Sequence, residues 1–345
     1  MSTGTSLPAD FSPLPQVLLP HMGKAFVERS LKVAGDLIGP AGSDSPIWLA
    51  NEPSFSQGGQ YIDAPFFKRM PALVRRDITS VAALTAQKVE GGNNQGVLLN
   101  RRSELMQFAD ASWIRNATRE QISAELGRQL GELVLDDLLS TCIAALRGMI
   151  EAVTAAAHTH SVWVASGTKV NLSPTVIGGG RAKMGDAYAA LTHMLVHSES
   201  LDDLRNDAVG RGYDSVGGAT LQGSNDRNSY GIKHALRDDA NLAAADAGYD
   251  KRYTLLLGRG ALMFKFERPY AVETDRKLDL ENKATQWRAD GDLWLRSDHM
   301  GYNAGAGGAN PSNTALATSA NWTPGYENHK EFPAVELEHN ATAAS

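Results

Sequence analysis

Cysteine is almost absent: Cys142 is the single one among 345 residues. One thiol excludes an internal disulfide and a thiolate zinc cluster, and with them the stapled scaffolds of small secreted domains. Long apolar runs are missing too, and nothing approaches the roughly 18–20 uncharged residues of a membrane-spanning helix. The first residues lack the basic start and small-residue cleavage site of a secretion signal. There is no cationic excess: 33 Lys+Arg against 39 Asp+Glu leave a net charge of −6. A dedicated nucleic-acid binder normally presents a basic face, and this balance argues against one. Together these absences predict a soluble intracellular protein. What is present is an ordinary globular mixture, 42% hydrophobic and 21% charged, enough to bury a sizeable core. The length suits one large domain or two linked lobes.

Residues 1–50 carry Pro8, Pro13, Pro15, Pro20, Pro40 and Pro46. Proline fixes φ and removes an amide donor, so this spacing predicts an extended arm, with room for one short helix over Met22–Ile38. Gln60–Arg69, with Tyr61, Phe66 and Phe67, reads as a strand, and the Gly/Asn cluster from Gly91 to Gly96 as a loop or turn. Arg75, Arg76 and Asp77 between them suit an exposed hairpin.

Thr118-Arg119-Glu120-Gln121 matches a capping box. Behind it Ile122, Leu126, Leu130, Leu133, Val134, Leu138, Ile143, Leu146, Ile150 and Val153 recur at helical steps. The spacing predicts one helix to about residue 157, roughly 60 Å long at 1.5 Å per residue. A second helix is expected from Gly185 to about Arg205, after a Gly178-Gly179-Gly180 hinge. Residues 210–248 read as a long polar loop with short elements. Tyr253–Phe266 alternates like a strand, and Val272–Trp294 reads as a charged turn between strands.

Few side chains assemble into chemistry. His193 and His197, one turn apart on the expected second helix, are positioned to share a metal, but Met194 stands where a metalloprotease carries its glutamate and no third ligand is nominated. His158 and His160 read as polar partners at the end of the long helix. The triple glycine lacks the Gly-Lys-Ser/Thr ending of a phosphate loop, and no Gly-x-Ser-x-Gly elbow is present. Cys142, inside the apolar stretch of the long helix, reads as a packed small hydrophobe. No cofactor and no catalytic residue is indicated.

The second half of the chain carries a resemblance. Tyr253-Thr-Leu-Leu-Leu-Gly258-Arg-Gly260, Leu293-Trp294-Leu-Arg-Ser-Asp-His299-Met-Gly301-Tyr and the tail Asn310-Pro311…Leu316…Asn321-Trp322 resemble the major capsid proteins of tailed phages. Met194-Leu-Val-His197-Ser198 with Leu201 and Leu204 is similar to that family's methionine–histidine–serine helix, and Leu126–Met149 to its long helix. The Asn-Pro…Leu…Asn-Trp order is the most specific part, since nothing generic predicts it.

The resemblance implies an α+β fold: an N-terminal arm (1–50), an extended loop (51–97), a peripheral lobe (98–171) with a spine helix at 118–157, an axial lobe (172–250), and peripheral strands with a C-terminal segment (251–345). It implies a structural protein, not an enzyme, assembling as hexamers and pentamers into an icosahedral head around double-stranded DNA that it does not bind sequence-specifically. Scaffold, portal and decoration proteins are the implied partners, the virion the implied location, and the host bacterial cytoplasm the place of assembly. Candidate subunit contacts are Tyr61, Phe66, Phe67, Lys68, Arg69, Arg75 and Arg76, with Asp202, Asp203, Asp238 and Asp239 as acidic counterparts. The competing readings are a metal enzyme on His193/His197 and a tail-tube subunit.

Overall fold

The computed structural model describes residues 21–25, 28, 37–50, 61–67, 91–109, 119–153, 157–210, 228–229, 232–245, 248–277, 284–326 and 328–341. After helical residues at 21–25 and 28 come strands β1 (Ile38–Pro40), β2 (Ile47–Leu49), β3 (Tyr61–Phe67), β4 (Gly91–Arg102) and β5 (Met106–Ala109). The long helix α1 (Arg119–Ala152) follows, then β6 (Thr159–Ser161), helix α2 (Pro174–Ala182), β7 (Leu191–Val196) and helix α3 (Ser198–Gly210). After β8 (Asn228–Ser229), β9 (Ile232–Leu236) and β10 (Ala243–Ala244) come β11 (Lys251–Gly258), β12 (Leu262–Lys277) and β13 (Ala284–Arg296). The end is built from β14 (Met300–Tyr302), two single-turn helices α4 (Ala304–Gly307) and α5 (Asn313–Leu316), β15 (Trp322–Pro324) and β16 (Ala334–Asn340).

Two sheets enclose α1. The first has the order β1-β2-β12-β13-β4-β3, with β5 continuing alongside β13. The second has the order β6-β16-β11-β7-β9-β8, with β10 beside β11. One core joins them: Val97, Leu99, Phe264, Leu293 and Leu295 of the first sheet, Leu195, Leu255, Leu257 and Ala334 of the second, and Leu135 to Val153 of α1 between. A helix covered on all sides needs apolar residues on all sides. Accordingly, Thr141 to Leu146 are buried without interruption, and each large aliphatic among them contributes about 1.5–3 kcal/mol. Among the described residues the first half of α1 is covered by the first sheet and by Met22. Leu130 and Val134 pack on Val272, Trp287 and Ala289, while Leu133 is 59% exposed.

Both faces of the second sheet are covered. Leu255 and Leu257 point to α1, and Leu256 joins Val335, Leu337, Met194 and Val196 against Val176 and Ile177 of α2 and Leu204 of α3. This explains the largest departure from expectation. The helix expected over 185–205 is a 3-10 turn (Gly185–Ala190), then β7, then α3. Leu191–Val196 is buried on both faces, so its apolar run lacks the alternation that marks a strand.

Three further expectations are corrected. The Gly/Asn cluster at 91–96 is no turn; it is the first half of β4, paired with β3 from Phe67↔Gly91 to Tyr61↔Val97, so the ladder to β3 overrides poor strand propensity. Gly178-Gly179-Gly180 lies inside α2 instead of before a helix. A Cβ on Gly179 would fall on the His160 ring and one on Gly180 on Leu337, so the glycines let α2 sit close on the sheet. Within Val272–Trp294 the described residues, 272–277 and 284–294, are strand, the facing ends of β12 and β13. The expected spine is present as α1, ending at Ala152; Thr118 of the capping box lies outside the described residues. The expected strand at 60–69 is present as β3. Among the described residues no helix is long and apolar enough to cross a membrane.

Candidate functional site

The Asn-Pro…Leu…Asn-Trp tail folds over the middle of α1 and locks it to the base of β3/β4. Asn310 uses its side-chain amide as a short strand would: Oδ1 accepts from the Asn100 amide (3.2 Å) and Nδ2 donates to the Asn100 carbonyl (3.4 Å). This occupies the edge of β4 three residues beyond the last β3 pair, Tyr61↔Val97. Asn313 reaches the same region. Arg101 donates to Thr141 Oγ1 (2.8 Å) and to Asn313 Oδ1 (3.3 Å), and pairs with Asp137 at 3.4 Å. One cation thus ties β4, α1 and α5 together. Asn321 donates to the Ala315 carbonyl (2.8 Å) and Trp322 Nε1 to the Leu316 carbonyl (2.7 Å). Gly148 makes that approach possible, because a Cβ there would collide with the Leu316 carbonyl oxygen.

A second lock joins α1 to the second sheet. Arg147 Nε donates to Glu336 of β16 at 2.9 Å, Nη1 to the Asn241 carbonyl (2.9 Å) and Nη2 to Glu151 (2.9 Å). Its guanidinium stacks 3.6 Å from the Tyr253 ring centroid. Glu336 is fully buried. Burial pushes its carboxyl up to about 7, against the opposing pull of Arg147. A lone cation in the apolar run of α1 was the available sequence signal, but nothing there pointed to a partner 189 residues away.

His158, expected as a polar partner at the end of the helix, is fully buried in the turn after it. Its Nδ1 bonds the Ala334 carbonyl, so Nδ1 carries the proton and Nε2 accepts from His329 Nδ1 at 3.1 Å. Phe332 stacks on its ring at 5.9 Å. Burial, more than anything else, pushes its pKa down to about 4. Cys142 is buried, and burial raises its thiol pKa well above the ordinary range; the packed-hydrophobe reading stands.

His193 and His197 do not face each other across a helical turn. His193 is buried in β7 with Thr192 Oγ1 2.8 Å from its Nδ1, and His197 lies beyond the strand end, 3.5 Å from Asp238. Four extended residues at roughly 3.3 Å each separate their backbones by about 13 Å, which removes the geometry of the metal reading. Among the described residues no group of three His, Cys, Asp or Glu is placed to share a metal ion.

Of the candidate contacts, Tyr61, Phe66 and Phe67 lie on β3, and Lys68, Arg69, Arg75 and Arg76 lie outside the described residues. The four acids divide in two. Asp203 is buried and accepts from Asn171 Nδ2 at 3.3 Å; Asp239 is buried, caps the Ala240–Leu242 turn through the Asn241 amide and lies 3.8 Å from Arg237. Asp202 and Asp238 keep 68% and 58% of their side chains exposed. Partial burial works against ionisation of Asp238, yet its bond from the Ser198 amide and the nearby His197 hold it below the usual carboxylate range.

Residues 41–335 match the family described as major capsid protein 13-like. Two solved structures share the fold. The capsid asymmetric unit of cyanophage Pam1 is 13% identical, with a TM-score of 0.56 over 89% of this chain and 91% of that one. The capsid of Ralstonia phage GP4 is also 13% identical, with a TM-score of 0.55 over 90% and 91%. No curated protein matches the chain. The fold is that of phage capsid shells, and the family match spans most of the sequence: the chain belongs to the major capsid protein 13-like family, structural proteins of phage heads and components of the virion.

Proposed function

We propose that this chain assembles as hexamers and pentamers into the icosahedral head that encloses double-stranded DNA, without sequence-specific contact to it and with no catalytic role. The observation that carries the reading is the family match over residues 41–335. The two-sheet fold around one long helix supports it. We assign residues 1–50 to the arm, 51–97 to the extended loop, 98–171 with α1 to the peripheral lobe, 172–250 to the axial lobe and 251–345 to peripheral strands and the C-terminal segment. The sheet order qualifies the last two: β11 and β16 pair with β7, so the axial sheet borrows strands from beyond residue 250. Tyr61, Phe66, Phe67, Lys68, Arg69, Arg75 and Arg76 act as loop contacts to a neighbour. Asp202 and Asp238 are the acids left for subunit contacts, Asp203 and Asp239 being committed inside the protomer. A separate scaffold, a portal and a decoration protein are the expected partners, and the host cytoplasm is the site of assembly.

Individual contacts need not be strong, since arm and loop engage several neighbours at once. Sedimentation velocity with negative-stain microscopy of each fraction, repeated with the scaffold, tests the reading. Closed shells or discrete pentamers and hexamers are the expected products. Open tubes, or a compact monomer even with scaffold present, would overturn it.

A further inference from the structure

The two ends of one row of the second sheet differ in charge. At the β6 edge, His160 pairs with Leu337, and Leu337 with Thr254. On the other side, on β9, which β8 covers only at Ile232 and Lys233, Leu236 pairs with Val196, one residue beyond the Leu195–Leu255 pair. His160 and Leu236 therefore end the same row of the sheet. Four inter-strand steps of roughly 4.8 Å separate them, about 19 Å in all.

Above His160 sits the C-terminal end of α2. Arg181 holds its guanidinium 5.0 Å over the ring of Tyr188, which is 50% exposed. Lys183 follows, and burial together with this cation lowers the pKa of His160. Among the described residues Lys183 makes no ion pair, and the neighbouring carboxylate, Asp186, is held by Lys330. Beyond Leu236 the sign reverses. Asp238, which accepts from the Ser198 amide at 2.8 Å and lies 3.5 Å from His197, and Asp202 within α3 present exposed carboxylates; Lys233, three residues before Leu236, is exposed as well, and Leu236 itself is 47% exposed. Asp202 pairs with Arg205 at 3.2 Å, both side chains exposed, an arrangement worth little in water.

We propose that the Arg181/Lys183/Tyr188 edge of one copy docks on the Asp202/Asp238/Leu236 edge of the next. The partner is a second copy of this chain, and the inference rests on the assembly reading above. Symmetry selects this pairing. A two-fold contact sets one patch against itself and would bring like charges together, whereas a head-to-tail contact joins different patches and closes into a ring. The contents match as well: two cations meet two carboxylates, and a tyrosine with a stacked arginine, residue types favoured in interfaces, meets an exposed leucine. Long Lys and Arg side chains also tolerate the change in subunit rotation between five- and six-fold rings, which a rigid apolar contact would not.

The test is a charge exchange read by sedimentation velocity across a salt series. Lys183→Glu and Asp202→Lys each raise the protein concentration required for assembly about fivefold or more at low salt, an effect that fades as salt screens the contact. The double variant Lys183→Glu/Asp202→Lys returns toward wild type. Both positions are surface-exposed or half-buried, so thermal melts that match wild type certify folding. Tyr188→Ala, which changes no charge, weakens assembly without the salt dependence. Wild-type assembly combined with unaffected single variants, or with no restoration in the double, overturns this contact and leaves the assembly reading intact. So does restoration of Arg75→Glu/Arg76→Glu by Asp202→Lys, which would give the carboxylate to the extended loop. Failure of the wild type to form rings or shells with scaffold present overturns the assembly reading itself.

Discussion

Gly148 sits mid-helix in the most deeply packed part of α1, where glycine is intrinsically the wrong residue. Replacing it with alanine in an exposed helix would stabilise by about 1 kcal/mol. Here the sign reverses. The added Cβ would overlap the Leu316 carbonyl oxygen and lie 2.8 Å from Trp322 Nε1 and 3.0 Å from the Ala317 carbonyl carbon. Two of those three atoms belong to backbone, which cannot rotate away as a side chain would. Overpacking of this kind costs about 1–3 kcal/mol, and displacing the tail stretches the 2.7 Å Trp322–Leu316 hydrogen bond, for about 1 kcal/mol more. Subtracting the helical gain leaves Gly148→Ala destabilised by about 2 kcal/mol. For a chain of this length, at roughly 2.1 cal/mol/K of unfolding entropy per residue, that is a fall in melting temperature of about 3 °C. Gly178→Ala in α2 is the internal control: nothing lies within 4 Å of its Cβ, so only the propensity gain remains and the melt rises. Thermal unfolding of the unassembled protein, followed by far-ultraviolet circular dichroism, compares the two. A Gly148→Ala melt equal to or above wild type would refute the reasoning, because it would mean that the tail does not press on the helix.

The buried titratable groups act in opposite directions over overlapping windows, so variants are needed to separate them. Glu336 is raised in the folded state to about 7 from an ordinary 4.5. Its contribution is therefore complete below about pH 4.5 and lost as pH rises through 7, and Glu336→Gln flattens that decline when melts at pH 5 and 8 are compared. His158 is lowered to about 4 from 6.5. Its contribution is complete above pH 6.5 and lost as pH falls toward 4, so His158→Gln shows a shallower acid loss over that interval, by at most about 3 kcal/mol. Asn310→Ala removes both bonds to Asn100 at an exposed edge; it costs about 1 kcal/mol and speeds hydrogen exchange at the Asn100 amide, while amides in β11 keep wild-type protection. Cys142 stays inert to a maleimide in the native protein and reacts stoichiometrically in denaturant; rapid native labelling would contradict the packing around α1.

The sequence disclosed α1 because a long amphipathic period is the least ambiguous signal a chain can carry, and β3 because its aromatics stand between glycine-rich flanks. It disclosed Cys142 through the apolar company it keeps. It misled where tertiary contacts overrule local preference. Gly91–Gly96 form a strand because β3 pairs with them along their whole length, and α2 keeps glycine at 179 and 180 because His160 and Leu337 leave no room there for side chains. β7 was read as helix because six residues buried on both faces offer no period to read. The tail motif identified the family, yet its work could not be read from order alone. That work depends on Asn100, Thr141 and Gly148, all of them more than 160 positions away. The acids at 202–203 and 238–239 were visible as pairs, but only the fold separates the exposed member of each from the buried one.

The place of β16 in the second sheet bears on how the protein is made. This strand belongs to the last part of the chain, yet it lies inside the sheet, between β6 and β11, and delivers Glu336 to Arg147. A nascent chain that has produced everything up to Phe332 has an open gap between two strands and a buried cation without its carboxylate. Closing that gap brings together residues more than 170 positions apart, the slow, entropy-limited kind of pairing. The completed sheet therefore forms only after β16 itself has been synthesised. Copies still being made close together on one messenger would then lack the finished sheet, so the edge-to-edge contact proposed above becomes available only once β16 is in place.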